Sequence, residues 1–266
     1  MRTPDPGSAG KQSMSSFRDR LYISTMAEDA AELAAEYAVG LEIAEFCAAY
    51  NMDTNYAEAD KKARRAMNHS RRFTFHAPFS ELCPAAIDPL VRDVTKKRYR
   101  QAIALAHHYG ICRIVIHAGF IPQVYFPEWF VPQSIAFWQE LLADLDASTT
   151  ICLENVMEPS ADMLVDIVRQ TNDPRLRLCL DVGHACTRPN ARPVEDWLEK
   201  EAPFLAHFHI HNNDGVTDLH DPLDRGILDM AALIEKAESL CPEATYTIEN
   251  LKAAESLVWL RGKHYI

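Results

Sequence analysis

The chain has 266 residues, with 27 Lys plus Arg against 38 Asp plus Glu, for a formal charge of −11. That balance excludes the strongly basic footprint of a typical nucleic-acid binder, and 48% hydrophobic with 24% charged residues is the composition of an ordinary globular protein. Cys47, Cys83, Cys112, Cys152, Cys179, Cys186 and Cys241 form no CxxC pair, so reduced thiols are expected rather than a disulfide framework or a zinc ribbon.

Residues 1–16 are rich in Pro, Gly, Ser and charge and lack the apolar core of a signal peptide, so they read as a disordered tail ahead of one domain over 17–266. No apolar run approaches the ~20 residues of a membrane span, and a cytoplasmic protein with no membrane partner is expected. From there short β-type runs alternate with longer stretches of helical period. The runs are Leu21–Thr25, Leu41–Phe46, Phe73–Phe79, Cys112–Ala118, Thr150–Asn155, Leu176–Gly183, Leu205–His211 and Thr245–Asn250. Asp88-Pro89 reads as an N-cap with Pro at the first helical position, and Gly40 and Gly110 as helix C-terminal glycines. Eight strands each followed by a helix predict an α/β fold, a single (β/α)8 TIM barrel.

Residues able to do chemistry cluster on this pattern. His76, His117, Glu154, Asp181, His209 and Glu249 each fall near the C-terminal end of a different predicted strand, where barrel enzymes place their sites. If Glu154, Asp181, His209 and Glu249 point inward, the two-residue period also turns Cys152, Cys179, His207 and Thr247 inward. Leu153, Leu180, Phe208, Ile210 and Ile248 then face the outer helices. Carboxylates converging without a cation would repel, and imidazole with carboxylate suits zinc, manganese or iron. Asp181-Val-Gly-His184 lets His184 reach back from the turn after the sixth strand, and Asp218-Leu-His220 offers a second ligand pair. Of the three histidines on one face of the seventh strand, His209 is assigned to the metal layer, His207 to a deeper layer, and His211 to the rim beside substrate.

In order along the chain, His76-Ala-Pro-Phe79, Ile116-His117-Ala-Gly119, Leu153-Glu154-Asn155, Leu180-Asp181-Val-Gly-His184, His207-Phe-His-Ile-His-Asn212, Asp218-Leu-His220 and Ile248-Glu249-Asn250 span nearly the whole predicted barrel. This series resembles the xylose-isomerase-like barrel superfamily, which includes endonuclease IV and the sugar isomerases and epimerases. The resemblance implies a mononuclear site of Glu154, Asp181, His209 and Glu249. The three-zinc endonuclease IV pattern would add His76, His117, His184, Asp218 and His220. One divalent ion, manganese or zinc, is expected, with ligands enough for three.

Two chemistries follow from the resemblance. In an isomerase or epimerase of a small sugar or sugar phosphate, Glu154 and Glu249 would remove and return a proton while His184 or His211 orients hydroxyls. In a phosphodiesterase like endonuclease IV, several zinc ions would cleave abasic-site DNA, with Glu154 bridging ions. Ile23-Ser-Thr-Met-Ala27 stands where the nuclease has a glycine-paired loop, Gly40 to Phe46 looks isomerase-like, and Asp224-Arg-Gly226 replaces a Gly-x-Gly segment. These departures rank the sugar enzyme first and DNA as a partner only under the second reading; a metal-binding barrel without catalysis is the third. Lys61-Lys62-Ala-Arg64-Arg65 and Lys96-Lys97-Arg98 read as solvated helix faces, and Tyr125, Phe126, Trp129 and Phe130 either line a pocket or pack.

Overall fold

The computed structural model describes residues 16–187 and 193–266. Eight parallel strands, β1 (Leu21–Ser24), β2 (Gly40–Ile43), β3 (Phe73–His76), β4 (Arg113–His117), β5 (Thr150–Glu154), β6 (Leu176–Asp181), β7 (Leu205–Ile210) and β8 (Thr245–Ile248), close into one barrel in sequential order. Around it run α1 (Ala30–Tyr37), α2 (Tyr56–Met67), α3 (Pro89–His108), α4 (Pro127–Ala143), α5 (Asp162–Thr171), α6 (Val182–Cys186), α7 (Val194–Glu201), α8 (Met230–Leu240) and α9 (Ala254–Gly262). The protein is a single (β/α)8 TIM barrel. The tail expected over 1–16 falls outside the described residues except for Ser16. That residue accepts from Asp19 N to cap a short 3-10 turn, whose Phe17 ring lies 4.8 Å from Tyr246.

The strands are shorter than their apolar runs, for local reasons. β3 stops at His76 because Pro78 has no N–H for the ladder. β4 stops at His117, ahead of Gly119 at φ +80°. Asp88 caps α3 by accepting from Leu90 N at 2.8 Å, Pro89 opens the helix, and Gly110 at φ +75° follows its end. Gly40 corrects the sequence reading, because α1 ends instead on Ala38 in the left-handed conformation and Gly40 begins β2. Its requirement is space, since a Cβ there would sit 2.2 Å from the Tyr22 ring.

Alternation along the strands divides the core. Leu41, Ile43, Ile114, Ile116, Leu153, Leu180, Phe208, Ile210 and Ile248 are buried in the main apolar core with residues of the helices. Val115, Cys152 and Cys179 form a separate cluster inside the barrel. A register shift between Leu178 and Cys179 lets β7 gain a residue on β6, which brings Asp181 opposite His209. On the other side His117 pairs with Glu154. The polar layer at the C-terminal end of the barrel is built by these pairings.

Candidate metal centre

Glu154 and Asp181 end β5 and β6, His209 is the penultimate strand residue of β7, and Glu249 follows β8. All four are buried, and one potential ligand atom from each lies within 4.8 Å of the others. His209 Nδ1 stands at the centre, 3.0 Å from Glu154 Oε1, 3.4 Å from Glu249 Oε2 and 3.9 Å from Asp181 Oδ2. His76 Nε2 and His117 Nε2 approach the other Glu154 oxygen at 3.3 and 3.2 Å. That oxygen, Oε2, is nevertheless buried without an aligned hydrogen bond. Three buried carboxylates converging on imidazoles, with one oxygen unsatisfied, fit a divalent cation with mixed N and O ligands.

The electrostatics of the two glutamates diverge. Burial would raise the Glu154 carboxyl, but His209 and His117 hold it well below its ordinary range. Burial pushes Glu249 up, and the neighbouring Glu154 and Glu42 charges add to this against the opposing pull of His209. Asp181 is drawn down to about 2 despite burial, by His184 and His211. His184 rises to about 10, against its burial, through Asp181 and Asp218. Desolvation lowers His117, with Glu154 offsetting part of the effect.

A second group adjoins the first. His184 Nε2 and His220 Nε2 each lie 3.2 Å from Asp218 Oδ2, and these three residues also offer ligand atoms within 4.8 Å of one another. His220 Nδ1 is 2.6 Å from the Glu249 carbonyl oxygen. The left-handed backbone at His220, φ 52°, turns its ring back toward the barrel. A cavity of about 540 Å³ opens over both groups, lined by His76, His117, Glu154, His184, Asp218, His220 and Glu249 on the ligand side. Ser24, Thr25, Met26, Glu45, Cys47 and Lys62 are among the residues that complete its wall. His211, read from the sequence as a rim residue, is instead fully buried, with Nε2 3.1 Å from Asp181 Oδ1.

Several residues that shape this site were given no role in the sequence reading. Glu42, buried on β2, lies 3.1 Å from His209 Nε2; strict alternation between outward Leu41 and Ile43 was the signal for it. Glu45 accepts from the Thr25 hydroxyl at 2.8 Å at the cavity wall, and burial raises its carboxyl. The asparagines after the two glutamates brace neighbouring loops. Asn155 Nδ2 donates to Asp181 O while its Oδ1 accepts from Asp181 N, and Asn250 donates to His220 O and Asp221 O. Gly183 leaves room for His211, whose ring a Cβ would meet at 1.9 Å.

The aromatic segment after β4 packs only in part, with Tyr125 and Phe130 buried and Phe126 exposed. Phe130 is fully buried, Trp129 Nε1 donates to Ala85 O, and none of Tyr125, Phe126, Trp129 and Phe130 lines the cavity over the ligands. The basic clusters lie on α2 and α3, where Arg64 pairs with Asp60, Lys96 with Glu140 and Arg98 with Asp53. Lys62 is the exception, since it reaches the cavity.

Comparison with known proteins places this architecture. A D-tagatose 3-epimerase-like protein superposes with a TM-score of 0.75 at 23% identity, over 92% of this chain and 96% of that one. The TTHB071 protein of Thermus thermophilus, solved after soaking with ZnCl2, gives 0.70 at 24% identity over 92% and 97%. Among curated relatives, the uncharacterized protein MJ1311 of Methanocaldococcus jannaschii is 28% identical over 184 residues, 66% of this chain and 63% of its own length. The chain thus spans less than two thirds of that relative. The family model described as xylose isomerase-like TIM barrel matches residues 31–261, which include every strand from β2 to β8 and all the ligand candidates above. A closed barrel, strand-end carboxylates and histidines, and this match over most of the sequence have one reading: the chain belongs to the xylose isomerase-like TIM barrel family.

Proposed function

We propose that this protein is a divalent-metal-dependent isomerase or epimerase of a small sugar or sugar phosphate. The observation that carries the reading is the convergence of Glu154, Asp181, His209 and Glu249, of which Glu154 and Glu249 line one cavity. These four residues would hold manganese or zinc. Such a cation would polarise the carbonyl of a chelated hydroxy-carbonyl sugar, making the hydroxyl-bearing carbon beside it more acidic. Glu154 and Glu249 come from strands three apart around the barrel, so they flank a substrate lying in the cavity. One can remove a proton from carbon and the other return it. His184, which lines the cavity beside Asp181, is suited to orient hydroxyls, while the buried His211 holds Asp181 from behind. Lys62 at the cavity wall supplies the positive charge that a phosphorylated substrate would meet.

A second reading has its own support. His76, His117, His184, Asp218 and His220 gather around the same basin, the ligand complement of a multinuclear phosphodiesterase. The sugar reading ranks first because Glu45 and Thr25, bonded to each other, occupy the wall formed by the loops after β1 and β2. An acidic side chain there disfavours a polyanionic backbone that must cross the whole wall more than a small substrate that can lie toward Lys62. Metal content, followed by assays on a panel of ketoses, aldoses and their phosphates and on abasic-site DNA, separates the readings. About one equivalent of metal with sugar turnover supports the proposal. Two to three zinc ions with DNA cleavage and no sugar turnover would replace it with the second reading, and metal binding without either activity would leave a non-catalytic barrel.

A further inference from the structure

Glu42 is buried at an inward position of β2, below the ligand group, and four side chains approach its carboxylate. Thr74 Oγ1 donates to it at 2.9 Å and Thr247 Oγ1 at 3.2 Å. His207 Nε2 lies 3.2 Å from Oε2, and His209 Nε2 lies 3.1 Å from Oε1. Of the two ring nitrogens of His209, Nε2 therefore faces Glu42 and Nδ1 faces Glu154, Glu249 and Asp181. An imidazole that ligates a metal uses one nitrogen for the ion and commits the other, as N–H, to a partner that sets its tautomer and orientation.

We infer that Glu42 is a positioning residue for the metal centre, keeping the proton of His209 on Nε2 and so presenting Nδ1 as the ligating nitrogen. The inference rests on the metal-centre reading proposed above. Its geometry is self-consistent on three sides. Thr74 and Thr247 prevent the carboxylate from swinging away. His207 is spoken for by Thr245 at Nδ1 (2.6 Å) and by Thr247 at Nε2 (2.9 Å), which fixes the inner wall. Cys179, packed with Val115 and Cys152 inside the barrel close to His207 and His209, bounds the third side. Glu42 Oε1 and His209 Nε2 meet off the N–H line, with no aligned hydrogen bond to either atom. A slight rotation of the ring as Nδ1 takes up an ion would align them.

Two measurements on the full-length protein test this. In competition with a chromogenic chelator, Glu42→Gln is expected to bind Zn2+ and Mn2+ about 10- to 100-fold more weakly than the unaltered protein, the usual effect of losing such a partner. The isosteric amide still accepts from both threonines, and thermal melting of the metal-free variant checks that it is folded. The second measurement needs no variant: 15N NMR of histidine-labelled, zinc-loaded protein should show His209 protonated at Nε2 and metal-bound through Nδ1. Ligation through Nε2, or unchanged metal affinity in folded Glu42→Gln, overturns the role of Glu42 while leaving the metal centre standing. Failure of the unaltered protein to bind either metal overturns both.

Discussion

Gly183→Ala adds a single methyl group beside the ligand cluster, and the structure says where the strain goes. The added Cβ would lie 1.9 Å from Cε1 of His211, 2.4 Å from Nε2 and 2.5 Å from Nδ1. Gly183 is helical, so backbone preference is not the obstacle. The contact must open by about 1.5 Å to reach ordinary van der Waals separation, more than a ring on a packed strand can give without moving. Overpacking of this kind costs about 1–3 kcal/mol, or roughly 2–4 °C of melting temperature per kcal/mol for a chain of this size. Because His211 Nε2 sits 3.1 Å from Asp181 Oδ1, the ring cannot retreat without loosening a proposed metal ligand. Thermal melting with and without Zn2+ measures both effects. The variant is expected to melt lower and to show a smaller stabilisation by zinc. A melting temperature within about 1 °C of the unaltered protein, with the same zinc-induced rise, would refute the packing argument.

Other consequences follow from single groups. Glu201, at the end of α7, is buried with neither carboxylate oxygen hydrogen-bonded, and burial, with Glu158 adding to it, raises it well above its usual 4.5. Between those two values the folded state binds more protons than the unfolded chain, so this group lowers stability as pH rises. Glu201→Gln should therefore raise the melting temperature at pH 8 and leave it nearly unchanged at pH 4; the same shift at both pH values would contradict this. Asp218→Ala should remove one equivalent from any uptake beyond the first in a zinc titration while sparing the first, because Asp218 contacts His184 and His220 but is not part of the Glu154 group. Loss of the first equivalent would show that the two groups form one site.

The barrel was legible because its strands alternate so regularly between side chains that face the helices and side chains that face inward. The positions of Glu154, Asp181, His209 and Glu249 could be read in the same way, each near a strand end. Glu42 carried the same signal, but the apolar run Leu41–Phe46 extends past the end of β2 at Ile43, so a search confined to the ends of the runs passes over it. His211 was harder, since its burial depends on α6 folding over it, and only the absence of a side chain at Gly183 permits that fit. Gly40 misled because a glycine after a helix usually ends it, whereas here Ala38 takes the left-handed turn and the glycine makes room for Tyr22. Contacts between elements distant in sequence, such as Glu45 with Thr25, leave no periodic trace.

Proton transfer on a sugar is the central claim, and solvent isotope exchange tests it most directly. Metal-loaded protein incubated in D2O with candidate ketoses and their phosphates should place deuterium on the carbon beside the carbonyl of the substrate it accepts. Glu249→Gln should suppress that exchange far more than it weakens substrate binding. Cleavage of abasic-site DNA at moderate salt, with no deuterium entering any sugar, would contradict the claim and show that the five additional ligands around the basin define the chemistry.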